Sequence, residues 1–503
     1  MGIMQFMDRA APLALDPAIA LLGNEEQGLA IDFTAMRGFI RDRVTGANNW
    51  LGDPNAKLTY ASPSAKWIWN AFGVLSSGTT LRCDHNPASL DSSVTPLNSL
   101  GIGAGAVVNK SIVLASGAFT YPVGEVVRIT DAADITKWIL GRVVSWTAGT
   151  KTLVIAGYAA SAPYVSASSW KVIVALGIRV ESQRTNLFTE SYFRNGISDA
   201  PVRSNVTASS FPKLGNNTGL AFAADGLQAY AYKVFALTAG TIYTLSIFVE
   251  MDDGLGPPLF GSDAASAASN DFGLNIDGTS NQNLSNVVQN LGGGLYRVSY
   301  TRTATASGSN IGVIRAAANR QRAFRISGFQ LEVGGFATSY IPTTTAQVTR
   351  AADKVTLPVT AFPYSSSVSV LTQDIRPLPG AIAGDTVGIW SGTNANILSG
   401  YQQNGSAAVM TARAAGAGVF TQSLGNPPAN AFFRTAVRYQ VGNAAGIVTS
   451  RSLVSPAMAI MPSGLTELVL GGQSLAASPN YWIRNLRYIP RAASDTELQA
   501  WAA

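Results

Sequence analysis

From Leu29 onward the chain is a succession of short runs of alternating apolar and polar residues, each followed by a cluster of Gly, Asn, Asp or Pro. Such runs predict β-strands, because side chains on a strand point alternately to opposite faces, and the clusters predict turns. Only 13% of the 503 residues are charged, and the Leu/Glu/Lys/Arg-rich stretches of amphipathic helices are nearly absent. A chain of this length favours three or four units over a single core. The sequence therefore predicts an all-β, multidomain protein.

Changes in the spacing of these runs predict five segments. Glycine-punctuated runs suit a small barrel, longer strands suit sandwiches, and prolines and aspartates interrupt the apolar residues at the N-terminus. At the other end, Ser494 and Glu497 predict a capping box that begins a helix. The predicted segments are an N-terminal arm at 1–28, a β platform at 29–97 that continues at 176–186, an inserted small β-barrel at 98–175, a jelly-roll sandwich at 187–345 and a second sandwich at 350–503.

Several function classes are disfavoured by composition. The formal charge of +6 is small for 503 residues, and Lys and Arg occur singly, so no basic patch for nucleic acid is predicted. One cysteine, Cys83, excludes an intrachain disulfide and a cysteine-based zinc site, and we expect its thiol to be buried and inert. The sequence has no run of 18 or more apolar residues, so no membrane span is predicted. The first thirty residues do not resemble a signal peptide.

Catalytic residues are scarce as well. The only histidine, His85, lies in CDHNPAS, which we expect to be a turn, so a Ser-His-Asp triad or a multi-histidine metal site is not predicted. Glycoside hydrolysis needs two carboxylates in one cleft, and the candidates Asp252, Asp253 and Asp271 lie in Gly/Pro/Asn-rich segments typical of solvated loops. We therefore expect no catalytic residues and no enzymatic activity.

Two separated strings are typical of one known module. Residues 61–90 read ASPSAKWIWNAFGVLSSGTTLRCDHNPASL, and residues 176–191 read LGIRVESQRTNLFTES. Together they resemble a module of bacteriophage tail-fibre and head-spike proteins, in which an Asp-Pro-containing turn leads into a Glu-x-x-Arg-Thr-Asn-Leu signature. The barrel predicted at 98–175 interrupts that junction here. We interpret the signature as structural: Arg184 pairs with Glu181 or Glu332, and Asn186 caps a turn.

Two further strings extend the resemblance. Residues 326–353, ISGFQLEVGGFATSYIPTTTAQVTRAAD, are similar to the closing strand and exit linker of the same phage jelly roll. The string YWIRNLRYIPRAASDTELQAW, which begins at Tyr481, resembles the last strand and terminal helix of phage concanavalin- or laminin-G-like domains, although Trp482 stands where those more often have a small residue.

The resemblance implies a virion protein on the surface of a phage particle. It would attach to the host cell by binding a surface glycan, with the arm at 1–28 docked on other virion proteins. A homo-oligomer, most simply a trimer, is predicted, because the apolar faces of thin sandwiches would be shielded from water by contact with other copies of the chain. Two alternatives stay open: a surface polysaccharide depolymerase, and a purely structural head-decoration or tail-adaptor protein.

A sugar site would need aromatic faces and polar side chains. We expect it within residues 187–503, and the aromatic candidates are Trp390, Tyr401, Tyr481, Trp482, Tyr230 and Tyr232. Tyr230 and Tyr232 share one strand face, whereas Tyr481 and Trp482 face opposite sides of theirs. No cofactor and no metal site are predicted; a structural calcium held by Asp, Asn and carbonyl oxygens is the one ion left open, although no DxDxDG-type loop occurs.

Overall fold

A computed structural model gives the fold of most of the chain. It describes residues 26–42, 50–61, 66–69, 75–78, 82–98, 108–134, 136–161, 166–167, 169–192, 202–214, 217–224, 229–255, 272–275, 286–292, 294–304, 309–316, 322–378, 384–393, 395–404, 407–428, 431–471 and 480–503. Most of the predicted arm therefore lies outside the described residues. Those residues are almost entirely strands and turns, so the all-β, multidomain prediction is confirmed.

The described residues contain thirty-six strands, which are numbered in chain order. Up to the barrel they are β1 Gly28–Asp32, β2 Arg37–Arg41, β3 Trp50–Gly52, β4 Thr59–Ala61, β5 Lys66–Trp69, β6 Leu75–Gly78, β7 Asp84–Ser93 and β8 Leu97–Asn98. The barrel and its exit contain β9 Val108–Val113, β10 Val126–Asp131, β11 Trp138–Thr147, β12 Thr152–Ala160, β13 Ser166–Ala167, β14 Trp170–Val180 and β15 Arg184–Asn186.

The remaining strands belong to the two sandwiches. The first set is β16 Val202–Ser204, β17 Thr207–Phe211, β18 Asn217–Phe222, β19 Ala229–Phe235, β20 Ile242–Met251, β21 Phe272–Asn275, β22 Asn286–Asn290, β23 Leu295–Thr303, β24 Ser309–Ala316, β25 Phe324–Val333 and β26 Val348–Arg350. The second set is β27 Lys354–Pro358, β28 Val368–Pro377, β29 Gly384–Trp390, β30 Ile397–Asn404, β31 Ala407–Ala414, β32 Ala417–Gly425, β33 Phe433–Gln440, β34 Ala445–Val448, β35 Glu467–Leu470 and β36 Tyr481–Ile489, and is followed by helix α1 Asp495–Ala502.

The barrel is built from six strands. Antiparallel pairing runs β7-β14-β10-β11-β12-β9, and a bridge between Ser93 and Leu114 brings the end of β9 back to β7. Because β7 enters the barrel and β14 leaves it, the two ends of this segment are hydrogen-bonded neighbours. Its core is apolar and includes Ile129, Ile155 and Trp170. The small barrel predicted from the glycine-punctuated runs is therefore present.

The jelly roll consists of two sheets. One has the order β16-β19-β24-β21 and the other β17-β18-β25-β20-β23-β22. Inward-facing side chains such as Leu245, Val298 and Phe329 form the core between them. This confirms the predicted sandwich, and it leaves the outer face of the six-stranded sheet to face the rest of the molecule.

The C-terminal sandwich draws on strands from both ends of the chain. One sheet contains β33, β28 and β36, and the outer edge of β36 pairs with β1 and with the end of β14. The facing sheet has the order β32-β31-β30-β29-β35-β27-β4. Their shared core contains Leu29 and Leu58 beside Leu371 and Leu468. The segment predicted as a platform thus contributes strands to both sheets of this sandwich.

Gly177 is the point where β14 passes from the barrel to the sandwich. Its φ is +85°, and an added Cβ would lie 2.1 Å from the carbonyl oxygen of Ile483. Only glycine combines this backbone conformation with so close an approach of a neighbouring strand. The residue therefore permits one strand to belong to two modules.

The terminal helix forms as predicted. The Ser494 hydroxyl accepts a hydrogen bond from the amide of Glu497 at 3.2 Å, and the Glu497 carboxylate accepts one from the amide of Ser494 at 2.7 Å. This capping box satisfies amides that a helix leaves without internal partners. Leu498 and Ala502 then pack against the outer face of the β28–β33 sheet. Among the described residues, no helix is long and apolar enough to cross a membrane.

Candidate functional site

A cleft of about 620 Å³ lies between the jelly roll and the C-terminal sandwich. Its jelly-roll wall is the outer face of β22 and β23 together with the loop at 335–337. The opposite wall is formed where β14, β28 and β36 lie side by side. The cleft therefore exists only because the two sandwiches pack together.

Strand alternation supplies the polar side chains of the jelly-roll wall. Successive residues of β23 point to opposite faces of the sheet. Tyr296, Val298 and Tyr300 face the core, and Arg297, Ser299 and Thr301 face the cleft. Beside them, Val287, Val288 and Gln289 of β22 are exposed and form the open rim of the cleft.

The opposite wall carries a row of three side chains on neighbouring strands. Trp482 of β36 is directly opposite Arg179 of β14 on one side and Arg376 of β28 on the other. Directly opposed residues are close enough for their side chains to touch. The guanidinium carbons of Arg179 and Arg376 lie 5.4 Å and 5.3 Å from the indole ring centre. We call this row the Arg-Trp-Arg ladder.

Trp482 is held in a single orientation. Its indole Nε1 donates a hydrogen bond of 3.0 Å to the carboxylate of Asp84, which lies on β7 at the entrance of the barrel. Only 8% of its surface is exposed, and it also packs with Leu378 against the barrel core. Because the ring is buried, it acts mainly as a platform that positions the two arginines.

Arg297 brings a further positive charge to the cleft. Its guanidinium donates hydrogen bonds to the Thr338 carbonyl at 2.6 Å and to the Ser246 hydroxyl at 3.0 Å, and both partners are neutral. Burial lowers the pKa of Arg297 to about 10, so the group is still charged at neutral pH. None of the described residues that line the cleft is a carboxylate.

A group of buried and partly buried charges, which we call the junction cluster, adjoins the ladder. It consists of Lys66, Arg179, Glu181, Arg350 and Asp353. Glu181 pairs with Arg179 at 2.8 Å, Arg350 at 3.3 Å and Lys66 at 3.5 Å, and Lys66 pairs with Asp353 at 2.5 Å.

Electrostatics decide the charge of Glu181. Burial raises the pKa of this carboxyl, but the positive charges of Arg179, Arg350 and Lys66 outweigh burial and hold the pKa well below its usual value of 4.5. The carboxylate also accepts hydrogen bonds from the amide of Ser339 at 2.7 Å and from its hydroxyl at 2.6 Å. Glu181 therefore ties the end of β14 to the segment that closes the jelly roll.

The polar signature beside this cluster makes contacts within the protein. Asn186 is fully buried, accepts a hydrogen bond from the amide of Phe188 and donates two to backbone carbonyls. Arg184 lies over the ring of Phe336 at 5.2 Å and is attracted by Glu332. Glu181 attracts Arg184 as well, and no salt bridge among the described residues joins Arg184 to either carboxylate, so the pairing with Glu181 or Glu332 stays an interpretation.

The structure places the predicted aromatic residues in different environments. Trp482 lines the cleft, whereas Tyr481 points the opposite way into the sandwich core, and its hydroxyl accepts a hydrogen bond from the amide of Gly471 at 3.0 Å. Trp390 is 1% exposed and packs with Ile397 and Val469.

The other three aromatic candidates are tyrosines on strands. Tyr230 and Tyr232 belong to β19, and Tyr401 belongs to β30. Their side chains lie outside the described residues. Of the three predicted aromatic residues whose side chains the structure describes, one lines the cleft. The cleft also includes Arg179, which precedes the expected range 187–503.

His85, Asp252 and Asp253, the described residues considered for catalysis, do not line the cleft. His85 lies in β7 and not in a turn, because Asp84–Ser93 pairs along β14 as a strand. Asp252 and Asp253 form ion pairs with Arg325 and Arg322 at 2.8 Å and 2.6 Å. Asp271 lies outside the described residues.

Two further predicted features concern the thiol and metal binding. Cys83 is buried as expected, and burial raises the pKa of its thiol to about 12. Within the described part of the chain, no group of three His, Cys, Asp or Glu side chains has an arrangement suited to a metal ion.

Sequence reasoning missed Arg179, Arg297 and Arg376. Each is a single arginine in a strand, so no local cluster of charge marks them. The alternation of β23 could have indicated that Arg297 points away from the jelly-roll core. No local signal could have shown that the other two flank Trp482.

No protein-family model matches the sequence, and no curated protein matches it. Three solved structures of carbohydrate-active proteins show weak similarity. Domain 4 of AbnA, a GH43 extracellular arabinanase from Geobacillus stearothermophilus, in complex with arabinotriose, aligns with 34% of this chain and 82% of its own, at 11% identity and a TM-score of 0.23. The N-terminal CBM22-1-CBM22-2 tandem domain of Xyn10C from Paenibacillus barcinonensis aligns over 61% and 98%, at 9% identity and a TM-score of 0.21.

The third is the sialidase of Trypanosoma rangeli in complex with the inhibitor DANA. It aligns over 92% of this chain and 97% of its own, at 8% identity and a TM-score of 0.22. TM-scores of this size do not establish a shared fold. The assignment of the fold therefore depends on the sheets themselves.

Proposed function

We propose that this protein binds a glycan of the host cell surface in the cleft and serves as an attachment protein on the surface of a bacteriophage particle. The size and lining of the cleft are the observations that support glycan binding. Its volume of about 620 Å³ is within the range of roughly 300–1,000 Å³ typical of sites for small molecules. Guanidinium, hydroxyl and amide groups on its walls can bond to sugar hydroxyls, and the exposed Val287 and Val288 offer apolar surface to sugar C–H groups.

The location on a phage particle is supported by the sequence resemblance at 61–90, 176–191 and 326–353. The arm at 1–28 would dock on other proteins of the virion. That the protein forms a trimer stays a prediction, which light scattering of the protein in solution can test. Binding without turnover is part of the proposal, and a depolymerase, for which retaining and inverting glycosidases need two carboxylates about 5–10 Å apart, is the alternative that the next experiment distinguishes.

The proposal is tested by incubating the whole protein with polysaccharide extracted from the host surface. Retention of uncleaved chains is the expected result. Release of shortened chains would identify a depolymerase instead, and no interaction would identify a structural protein.

A matched pair of variants locates the site. Ser299→Trp places a bulky ring in the cleft from an outward-facing position of β23, and we expect it to abolish retention of the polysaccharide. Ile242→Trp makes a similar addition at an exposed position of the same sheet outside the cleft, and we expect it to bind normally. Equal binding by both variants would place the glycan site elsewhere.

A further inference from the structure

Within the described residues, the acids that attract the arginines of the cleft also attract other cations. Arg297 donates hydrogen bonds to neutral groups, and Glu332, which attracts it, also attracts Arg184. Glu125, which attracts Arg376, forms an ion pair with Arg484. The third, Arg179, shares Glu181 with Lys66 and Arg350. Positive charge that is partly removed from water favours a bound anion.

Unsatisfied donors at the inner end of the cleft indicate where such an anion would bind. A cavity of about 20 Å³ adjoins the cleft and shares Arg179, Gln289, Arg297 and Trp482 with it. The buried Nε atoms of Arg179 and Arg297 have no hydrogen-bond partner among the described residues. A volume of this size holds a water molecule or one small polar group. The carboxylate that also borders this cavity, Asp84, already accepts hydrogen bonds from Trp482 and from the amide of His85.

The aromatic residues of the cleft are poorly placed to stack on a neutral sugar. Trp482 and Phe336 are 8% and 7% exposed, and arginines lie over both rings. A guanidinium held on a ring keeps its planar fork of N–H donors, which matches the two oxygens of a carboxylate. The surface offered to a ligand is therefore cationic more than aromatic.

We infer that the glycan bound in the cleft is acidic, with sugar carboxylates paired to Arg179, Arg297 and Arg376; this inference rests on the proposed function. The carboxylate-bearing sugar lies across the Arg-Trp-Arg ladder, and its neighbours along the chain extend toward the rim at Val287 and Val288.

The test compares polygalacturonate with its fully methyl-esterified form, which has the same backbone without the charge. The full-length protein should bind polygalacturonate at least roughly tenfold more tightly than the ester, because a hydrogen bond to a charged group is worth more than one between neutral groups. Arg376→Gln should reduce polygalacturonate binding roughly tenfold, and Arg376→Lys, which keeps the charge, should lose less. Arg413→Gln, which removes the same charge outside the cleft, should bind as the wild-type protein does. Melting curves establish that each variant is folded.

Each other outcome has one meaning. Equal binding of polygalacturonate and its ester by the wild-type protein would overturn the acidic assignment and leave glycan binding intact. If Arg376→Gln and Arg413→Gln lose the same affinity for polygalacturonate, the loss is a general effect of net charge. That result would overturn the assignment of the Arg-Trp-Arg ladder as the binding site. Dextran sulfate that binds as tightly as polygalacturonate would overturn the preference for carboxylates. Failure of both polygalacturonate forms and of host polysaccharide to bind would overturn the proposed function itself.

Discussion

Glu181 connects the two walls of the cleft, and its removal should destabilise the whole junction. The carboxylate is fully buried, accepts two hydrogen bonds from Ser339 and lies within 3.5 Å of Arg179, Arg350 and Lys66. In Glu181→Gln the shape and one carbonyl acceptor remain, but the negative charge is lost. Arg179, Arg350 and Lys66 would then lose this partner, and the Asp353 carboxylate would remain beside Lys66 and Arg350.

The magnitude follows from burial. Removing one partner of a buried ion pair costs about 3–5 kcal/mol, because the remaining charge stays out of water without compensation. For a cooperative unit of about 150–250 residues, this corresponds to a fall in the unfolding midpoint of roughly 6–20 °C. Glu467→Gln is the matched control, because Glu467 pairs with Lys354 at 3.1 Å while both side chains are partly exposed. Such a pair contributes about 0–1 kcal/mol.

The assay is thermal unfolding of the two variants and the wild-type protein between pH 7 and pH 4. Since the pKa of Glu181 is lower in the folded protein than its usual value of 4.5, its stabilisation is complete above that value and is lost as the pH falls through the folded pKa. The difference between wild-type protein and Glu181→Gln should therefore persist throughout this range. A midpoint shift no larger than that of Glu467→Gln, or a difference that already disappears between pH 7 and pH 5, would refute the reasoning.

Two further predictions concern the barrel. Gly177→Ala should destabilise the protein by several kcal/mol, because the added Cβ would meet the Ile483 carbonyl. Gly149→Ala is the control and should have little effect, because the space around Gly149 is open. Melting curves of both variants test this prediction. Cys83 should react slowly with iodoacetamide at pH 8 in the native protein and rapidly in denaturant, because burial raises the pKa of its thiol to about 12; rapid native labelling would contradict its buried position.

Local patterns carried the prediction of fold class. Alternation along β23 and β25, glycine punctuation along the barrel and the capping box at Ser494 each depend on residues close together in the sequence, where strand and helix geometry acts directly. These features predicted the all-β class, the small barrel, the sandwich at 187–345 and the terminal helix. They also indicated that Tyr481 and Trp482 face opposite sides of one strand.

The relation between the modules depends on pairing across the whole chain. β1 at Gly28–Asp32 pairs with β36 at Tyr481–Ile489. No local sequence pattern predicts which strand another strand will pair with. For the same reason the cleft could not be predicted from local sequence patterns. Arg179, Arg376 and Trp482 become neighbours only because β14, β36 and β28 lie side by side in one sheet. The sequence by itself thus determined the strands, turns and faces of each module. Only the tertiary structure decided which strands meet, because hydrogen bonds between strands are formed by backbone groups that are the same at every residue.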